Sequence, residues 1–297
     1  MHMSTPASAE APAIRKNRAR FLRPGGYPVV PIVILTLVLI VPALFSPWLA
    51  PYGAEETDLR TRLAPPVFFG GSWDHMLGTD RLGRDVLSRT MYGARYALSI
   101  SAVGILVGVV IGSTLGLIAG YARGWFDTVI MRLVDISLAL PAMLLALALA
   151  ALSGPSFRSV IIVVAFVLWA YFARQVRAEV LSLRELDYVA LAVVAGSSHL
   201  TILRRHILVN VMNTIVVLAT LQVGIVITLE ASLSFLGIGI PRPTPTWGLL
   251  VSDGRQLLTS AWWLSFFPGL AILLTVLSVN LFGDWLRDRL DPKQRTI

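Results

Sequence analysis

The sequence predicts an all-α integral membrane protein with six transmembrane helices. Of its 297 residues, 56% are hydrophobic and only 14% are charged, whereas a soluble globular domain carries about 25% charged residues. Six apolar runs are each close to the roughly 20 residues that a helix needs to cross a hydrocarbon core of about 30 Å. Lysine and arginine are concentrated on alternate connecting segments, as the positive-inside rule requires of a multi-pass chain.

The six predicted spans differ in polarity. The first is longer than the apolar part of a signal peptide, about 7–15 residues, and no small-residue cleavage site follows it, so we expect a retained anchor. The second carries no charge, and the third contains Asp135 and Pro141. Arginines in the last turns of the fourth, Arg174 and Arg177, extend its short uncharged stretch by snorkelling. The predicted bounds are 29–50, 97–120, 132–152, 159–180, 207–229 and 262–285.

The basic residues predict the orientation. With a cytoplasmic N-terminus, 16 of the 25 lysines and arginines lie on inner segments, and the C-terminus is cytoplasmic as well. The net charge of +8 then follows membrane sidedness, which argues against nucleic-acid binding. The predicted organisation is a cytoplasmic basic tail (1–28), the first span (29–50), an extracytoplasmic insert (51–96), a five-helix core (97–286) that includes a cytoplasmic loop (182–206), and a cytoplasmic tail (287–297).

Several kinds of chemistry are excluded by composition. Without cysteine there are no disulfides or thiolate metal sites, and the four histidines have no metal-ligand spacing. A phosphate-binding P-loop needs a lysine after its glycines, but neither Lys16 nor Lys293 has that context. No hydrolase motif occurs. We therefore predict a non-catalytic chain that binds no metal or cofactor and leaves any ATP hydrolysis to another subunit.

The second span carries a glycine at every fourth position. Small residues at this spacing lie on one face and allow helix backbones to approach closely within a bilayer. We expect this stripe to pack against a neighbouring helix, with a direct role in a substrate path as the alternative. Its members are Gly104, Gly108, Gly112, Gly116 and Gly120.

Polar groups at membrane depth are few. Asp135, Glu230 and Asp284 lie near span ends, and we expect them to be structural, Asp135 through pairing with Arg132 three residues earlier. The fifth span contributes uncharged polar residues that line an aqueous path or form hydrogen bonds between helices. These translocation-path candidates are Asn213, Thr220 and Gln222.

The segment after the fifth span is rich in turn signals. We expect residues 231–247 to begin as a short interfacial or re-entrant helix. Their prolines then enforce an extended turn. Trp247, Trp262 and Trp263 are typical of a membrane-interface belt.

Residues 187–210 are too short to span a bilayer and too apolar for an ordinary solvated loop. They resemble the EAA loop of ABC-importer permeases, whose pattern is Glu-Ala-Ala, three residues, Gly, and later Ile-x-Leu-Pro. Residues 190–192, Ala-Leu-Ala, take the Glu-Ala-Ala positions, and Gly196 takes that of the glycine. The chain departs from the pattern at Ala190, where the family has glutamate, and at Val209, where it has proline.

The segment before the second span carries a more specific pattern. Residues 77–80, Leu-Gly-Thr-Asp, and 83–86, Gly-Arg-Asp-Val, resemble the C-type permeases of dipeptide and oligopeptide importers. Residues 92–95 and 230–237 continue the resemblance, which extends over nearly the whole chain from residue 30. His75 and Asp80 also admit a metal or hydrolase site, but one histidine with scattered acids is weak support for it.

The resemblance implies a type I ABC importer permease fold in a bacterial inner membrane. It implies a heterodimeric pore with a B-type permease, two cytoplasmic ABC ATPase domains that hold ATP and Mg, and an extracytoplasmic substrate-binding protein. The EAA-type helix would dock on one ATPase domain and couple ATP hydrolysis to alternating access for short peptides. The coupling residues are Tyr188, Val189, Ala190, Leu191, Ala192, Gly196, Ser197, Arg204 and Arg205, with Tyr188, Val189, Leu191 and Ala192 as the apolar docking face.

Two alternatives remain open at this level. One is an ion-gradient-driven transporter or channel, which requires charges or broken helices near the midplane; Pro141 is the only candidate break. The other is a member of the same family with a different substrate, such as a nickel chelate, haem or glutathione.

Overall fold

A computed structural model describes residues 27–290, which form nine helices and no β-strand. The all-α prediction is confirmed for this part of the chain. The predicted tails fall largely outside it, since 1–26 and 291–297 are not described. The helices are α1 (Val29–Leu49), α2 (Val86–Ala122), α3 (Gly124–Ala139), α4 (Ala142–Ser153), α5 (Phe157–Arg184), α6 (Asp187–Val194), α7 (His199–Phe235), α8 (Trp247–Gly254) and α9 (Trp263–Leu290).

Five of these helices are long and apolar enough to cross a membrane, namely α1, α2, α5, α7 and α9. The predicted third span, 132–152, is wrong as a single helix, because α3 and α4 meet there at 82°. The break falls at Leu140 and Pro141: proline has no N–H to donate and forces the residue before it into an extended conformation, and Leu140 has ψ 122°. Residues 27–290 therefore contain five candidate spans, or six if the bent pair counts as one.

Helix α2 begins at Val86, eleven residues before the predicted start of the second span, so the last residues of the predicted 51–96 insert are helical. Asp85 caps the helix by accepting a hydrogen bond from the Ser88 backbone N–H. At 1.5 Å per residue, the 37 residues of α2 extend about 55 Å, well beyond a hydrocarbon core of about 30 Å. Helix α2 therefore extends beyond such a core, and its first turns lie beside residues 50–85, which we call the outer insert after the side predicted for them.

The glycine stripe of α2 lies against α5, and these two helices form the most extensive helix pair. A Cβ added at Gly108 would lie 2.5 Å from the Leu168 Cβ, and one at Gly116 would lie 2.6 Å from the Ala173 carbonyl oxygen. All five glycines are buried. Because no side chain separates the two backbones, α2 and α5 form a rigid central pair on which the other helices pack.

We expect Gly112→Val to destabilise this pair, because the added side chain would meet the Trp169 carbonyl and the Phe172 Cβ. Overpacking of this kind costs about 1–3 kcal/mol, which lowers a melting temperature by a few degrees. A thermal unfolding scan of the purified protein measures the change. The matched control is Ala102→Val on the exposed face of the same helix, and equal melting temperatures for both variants would contradict the packing role.

The region around α8 differs from the predicted interfacial helix. The apolar residues after the fifth span continue α7 to Phe235, and the separate short helix is α8, whose N-terminus is capped by the Thr246 side chain. Trp247 and Trp263 are only 1% and 5% exposed, so the interface-belt prediction is wrong for both. Their indole N–H groups donate to the Thr90 and Thr79 carbonyls and thereby attach α8 and α9 to α2 and the outer insert.

Candidate functional site

The connection between α5 and α7 contains α6 and a sharp reversal after it. Helix α6 ends in a Schellman motif, in which the Gly196 N–H donates to the Val193 carbonyl and the Ser197 N–H to the Ala192 carbonyl. Gly196 has φ +77°, a left-handed conformation that glycine adopts without strain. Helix α7 then begins with the Ser198 side chain as its cap. The helix–glycine–helix pattern predicted for this segment is therefore observed.

The apolar residues of α6 face in two directions. Val189 is 2% exposed and packs on the chain's own cluster with Val180 and Ile202, whereas Leu191 is 67% and Val194 85% exposed. Isolated apolar residues are common on protein surfaces, but several grouped on one short helix indicate an interaction surface. Leu191 and Val194 are three residues apart and share a face of α6. Together with Leu200 at the start of α7, all more than half exposed, they form what we call the apolar ridge.

The predicted docking face differs from this ridge. Of its four members, only Leu191 is on the ridge, because Val189 points inward and Ala192 is half-buried. Alternation of apolar residues on so short a helix does not reveal which side meets the rest of the chain. Ala190 is exposed and Ser197 is half-buried.

Tyr188 ties α6 to the base of α7. Its hydroxyl accepts a hydrogen bond from the Asn210 side-chain amide at 3.2 Å, and the same amide donates to the His206 carbonyl at 2.6 Å. Burial raises the pKa of the Tyr188 phenol above its usual 10.0, so the hydroxyl stays neutral. The predicted basic residues Arg204 and Arg205 are exposed nearby, within a π-helical turn that covers Leu203–Ile207.

A cavity of about 470 Å³ lies beneath α6, with Ala190 on its wall. Opposite, the Arg184 guanidinium donates to the Tyr121 carbonyl at 2.6 Å and lies 5.5 Å from the centre of the Tyr121 ring. The Tyr121 hydroxyl is 2.8 Å from the His199 Nδ1. These contacts connect the end of α2 to the end of α5 and the start of α7, the two helices that flank α6.

Ion pairs join α3 to α5 on the same side of the molecule. Arg177 binds Asp127 through two hydrogen bonds of 2.8 and 2.7 Å, a bidentate geometry that fixes orientation. Asp135 pairs with Arg174 at 2.6 Å, so the predicted partner Arg132 is wrong. Sequence reasoning missed these pairs because their members are 39 and 50 residues apart and only the break at Pro141 brings α3 alongside α5.

The translocation-path candidates do not share one face of α7. Asn213 and Thr220 are seven residues apart and therefore on the same side, but Gln222 is 3% exposed on another side, with its Oε1 lacking a hydrogen-bond donor. The Thr220 hydroxyl donates to the Val216 carbonyl of its own helix. Glu230 is 1% exposed and accepts from the Ser234 hydroxyl at 2.7 Å, which makes it a buried structural acid without an ion pair.

The two sequence motifs at residues 77–80 and 83–86 form a tight turn that caps α2. The Asp85 carboxylate accepts hydrogen bonds of 2.7 Å from the Ser88 N–H and hydroxyl, and its other oxygen is 3.1 Å from the His75 Nδ1. Asp80 accepts from the Leu82 and Arg84 N–H groups and from the Arg84 Nε at 2.7 Å. Both carboxylates are thus engaged in hydrogen bonds that hold the turn, which gives the motif a structural role.

The chain is similar to one described family and to several named proteins. Residues 112–296 match a family described as binding-protein-dependent transport system inner membrane component. The chain is 47% identical over 266 residues to the dipeptide transport system permease protein DppC of Escherichia coli K12, covering 89% of this chain and 88% of that protein. It is 42% identical to the di/tripeptide transport system permease protein DppC of Pseudomonas aeruginosa, covering 88% and 86%.

A third relative and one solved structure extend the comparison. The glutathione transport system permease protein GsiD of Pectobacterium atrosepticum is 43% identical, covering 93% of this chain and 90% of that protein. An inward-facing structure of the MetNI methionine ABC transporter superposes with a TM-score of 0.57 at 17% identity, covering 69% of this chain and 96% of that chain. At that identity the likeness concerns the fold.

Proposed function

The chain belongs to the family of binding-protein-dependent transport system inner membrane components, and we propose that it is a permease subunit of an ABC importer of short peptides. The observation that carries this proposal is the 47% identity to a dipeptide permease over 89% of the chain. The chain is a multi-pass membrane protein, and its exposed apolar ridge on a short helix between two spans is the kind of surface that a partner subunit would cover.

We place the α6 end in the cytoplasm. The exposed arginines Arg204 and Arg205 lie at that end, and basic residues near a span favour the cytoplasmic side. If the bent pair α3 and α4 crosses the membrane as one of six spans, the outer insert and α8 face outward and both termini face the cytoplasm. The membrane is then the inner membrane of a bacterium.

Membership of this family implies three kinds of partner. A second permease of the B type would complete the pore, two cytoplasmic ATPase domains would bind ATP and Mg, and a substrate-binding protein would dock on the outer face. The apolar ridge would enter a groove on one ATPase domain. Because Arg184, Tyr121 and His199 connect the helices that flank α6 to α2, closure of the ATPase domains would move the central α2–α5 pair.

The cargo is a short peptide on this proposal. Similar proteins are named for dipeptides, for di- and tripeptides, and for glutathione, all of which are small and carry a carboxylate. The gradient-driven alternative requires charges or broken helices near the midplane. The chain has one such break at Pro141, but the acids of α3, Asp127 and Asp135, are already paired with arginines on α5.

Reconstitution tests the proposal. The complex in the proteoliposomes contains this chain, its B-type partner, both ATPase subunits and the binding protein. It should accumulate radiolabelled dialanine only when ATP and Mg are present on the side of the membrane that the ATPases face. The matched control is the same complex with the P-loop lysine of each ATPase replaced by alanine, which should show no accumulation. Uptake by this chain alone, driven by an ion gradient without ATP, would overturn the proposal.

A further inference from the structure

A cleft of about 510 Å³ opens at the insert end of the molecule, apart from the α6 segment. One wall is formed by the turn of the outer insert and the start of α2, including Asp80, Arg84 and Arg89. The other wall is formed by the loop before α8 and by α8 itself, including Arg242 and Asp253. The volume lies within the range of about 300–1,000 Å³ that is usual for small-molecule sites.

Arg89 is the unusual residue of this cleft. It is only 1% exposed, yet no hydrogen-bond acceptor is placed on its Nε. The one hydrogen bond that its guanidinium donates within residues 27–290 is from Nη1 to the Ala54 carbonyl, at 3.2 Å. Asp80 does not satisfy Nε, because its Oδ2 is 3.9 Å away and already accepts from the Arg84 Nε at 2.7 Å.

The unused edge of Arg89 has a defined shape. Nε and Nη2 present parallel N–H groups on one side of the guanidinium plane, and this fork matches the two oxygens of a carboxylate. The Arg89 Nε is a buried donor without an acceptor, which is costly. Because Arg89 also lines the cleft, its side chain is suited to an acceptor that arrives with a ligand.

The charge of the cleft favours the same kind of ligand. Asp80 is paired with Arg84, and Asp253 is paired with Arg242. The two remaining cations on the wall, Arg81 and Arg89, have no carboxylate within hydrogen-bond distance, since Arg81 donates to the neutral Gln256 side chain. The four arginines and two aspartates that line the cleft therefore give it a net charge of +2.

The rest of the lining is apolar. Val86, Leu250 and Leu264 are all buried and contribute to the wall, together with Pro268 of α9. An anionic group at Arg89 with apolar substituents alongside is the chemistry of a short peptide that enters by its C-terminus. We propose that Arg89 binds the α-carboxylate of the transported peptide in this cleft, a subsite on the outer face that rests on the proposed function of peptide import.

The test compares two probes on the assembled complex. The full transporter, without its binding protein, is placed in nanodiscs and titrated with dialanine and with dialanine amide by saturation-transfer NMR. A charge-assisted bidentate contact should make the free acid bind about tenfold or more tightly than the amide. Arg89→Gln should remove that advantage, because binding of the free acid falls to that of the amide or close to it. Arg60→Gln, which changes an exposed arginine of the same insert outside the cleft, should preserve it.

The outcomes distinguish failure of the proposed subsite from failure of the proposed function. Equal binding of acid and amide by the unaltered complex overturns the subsite, and this comparison decides the matter even if the Arg89→Gln complex fails to assemble. The subsite is also overturned if Arg89→Gln leaves acid binding intact but weakens capture of the binding protein, because an acidic residue of that protein would then be the occupant. A complex that imports dialanine yet fails the acid–amide comparison retains the proposed function, whereas a complex that imports no peptide loses it.

Discussion

Replacing Leu191 with aspartate is expected to detach the ATPase subunits from the permease. Leu191 is 67% exposed at the centre of the apolar ridge, and the proposed groove would bury it. The variant loses an apolar anchor and forces an unpaired carboxylate into the contact, a change that costs about 2–4 kcal/mol at an interface hot spot and weakens binding by about 30-fold to 1,000-fold. The measurement is the ratio of ATPase to permease after detergent purification of the complex.

Leu59→Asp is the matched control for this experiment. Leu59 is 70% exposed on the outer insert, so the same substitution is made at nearly the same exposure but at the opposite end of the molecule. It should leave the ATPase ratio unchanged. Tyr188 is a poorer target, because its hydroxyl is bonded to Asn210 and its replacement would disturb the loop itself. Normal ATPase retention by Leu191→Asp would show that the ridge is not the dock.

The sequence predicted the helical class, most span positions and the glycine-terminated α6 segment, because each depends on local composition. Apolar length identifies a span, and a glycine after a short helix predicts a left-handed end, as found at Gly196. It did not predict the angle at Pro141 or the direction of Val189. Both depend on what packs against the segment, which periodicity over eight to twelve residues does not encode.

The outer cleft was beyond sequence reasoning for a related reason. Arg84 and Arg89 look alike in the sequence, where each is an arginine near an acid. Only the fold shows that the Arg84 Nε donates to the Asp80 Oδ2 and that the Arg89 Nε is buried without an acceptor. Burial and partner identity separate a structural arginine from a binding one, and both are tertiary properties.

Gly196→Val is expected to uncouple ATP hydrolysis from transport. Gly196 has φ +77° and no atom within 4 Å of an added Cβ, so the penalty comes from the backbone alone, about 1–2 kcal/mol for an ordinary residue and more for a β-branched one. The Schellman motif would open, and α6 would lose its fixed direction relative to α7. Substrate-stimulated ATPase activity of the assembled complex should fall about tenfold or more, as an energy of this size predicts.

Two further variants distinguish loss of the direction of α6 from a general loss of stability of the protein. Gly196→Asn retains much of the activity if the left-handed conformation is what matters, because asparagine tolerates it far better than valine. Gly154→Val introduces backbone strain of at least this size, because φ +76° and ψ 160° form a conformation that almost only glycine adopts. Gly154 also has no neighbour within 4 Å, and it lies between α4 and α5, away from α6. That variant should lower the melting temperature without abolishing stimulation. Equal loss of stimulation at Gly154 and Gly196 would mean that strain anywhere impairs the transporter, and the specific role of the α6 reversal would then be wrong.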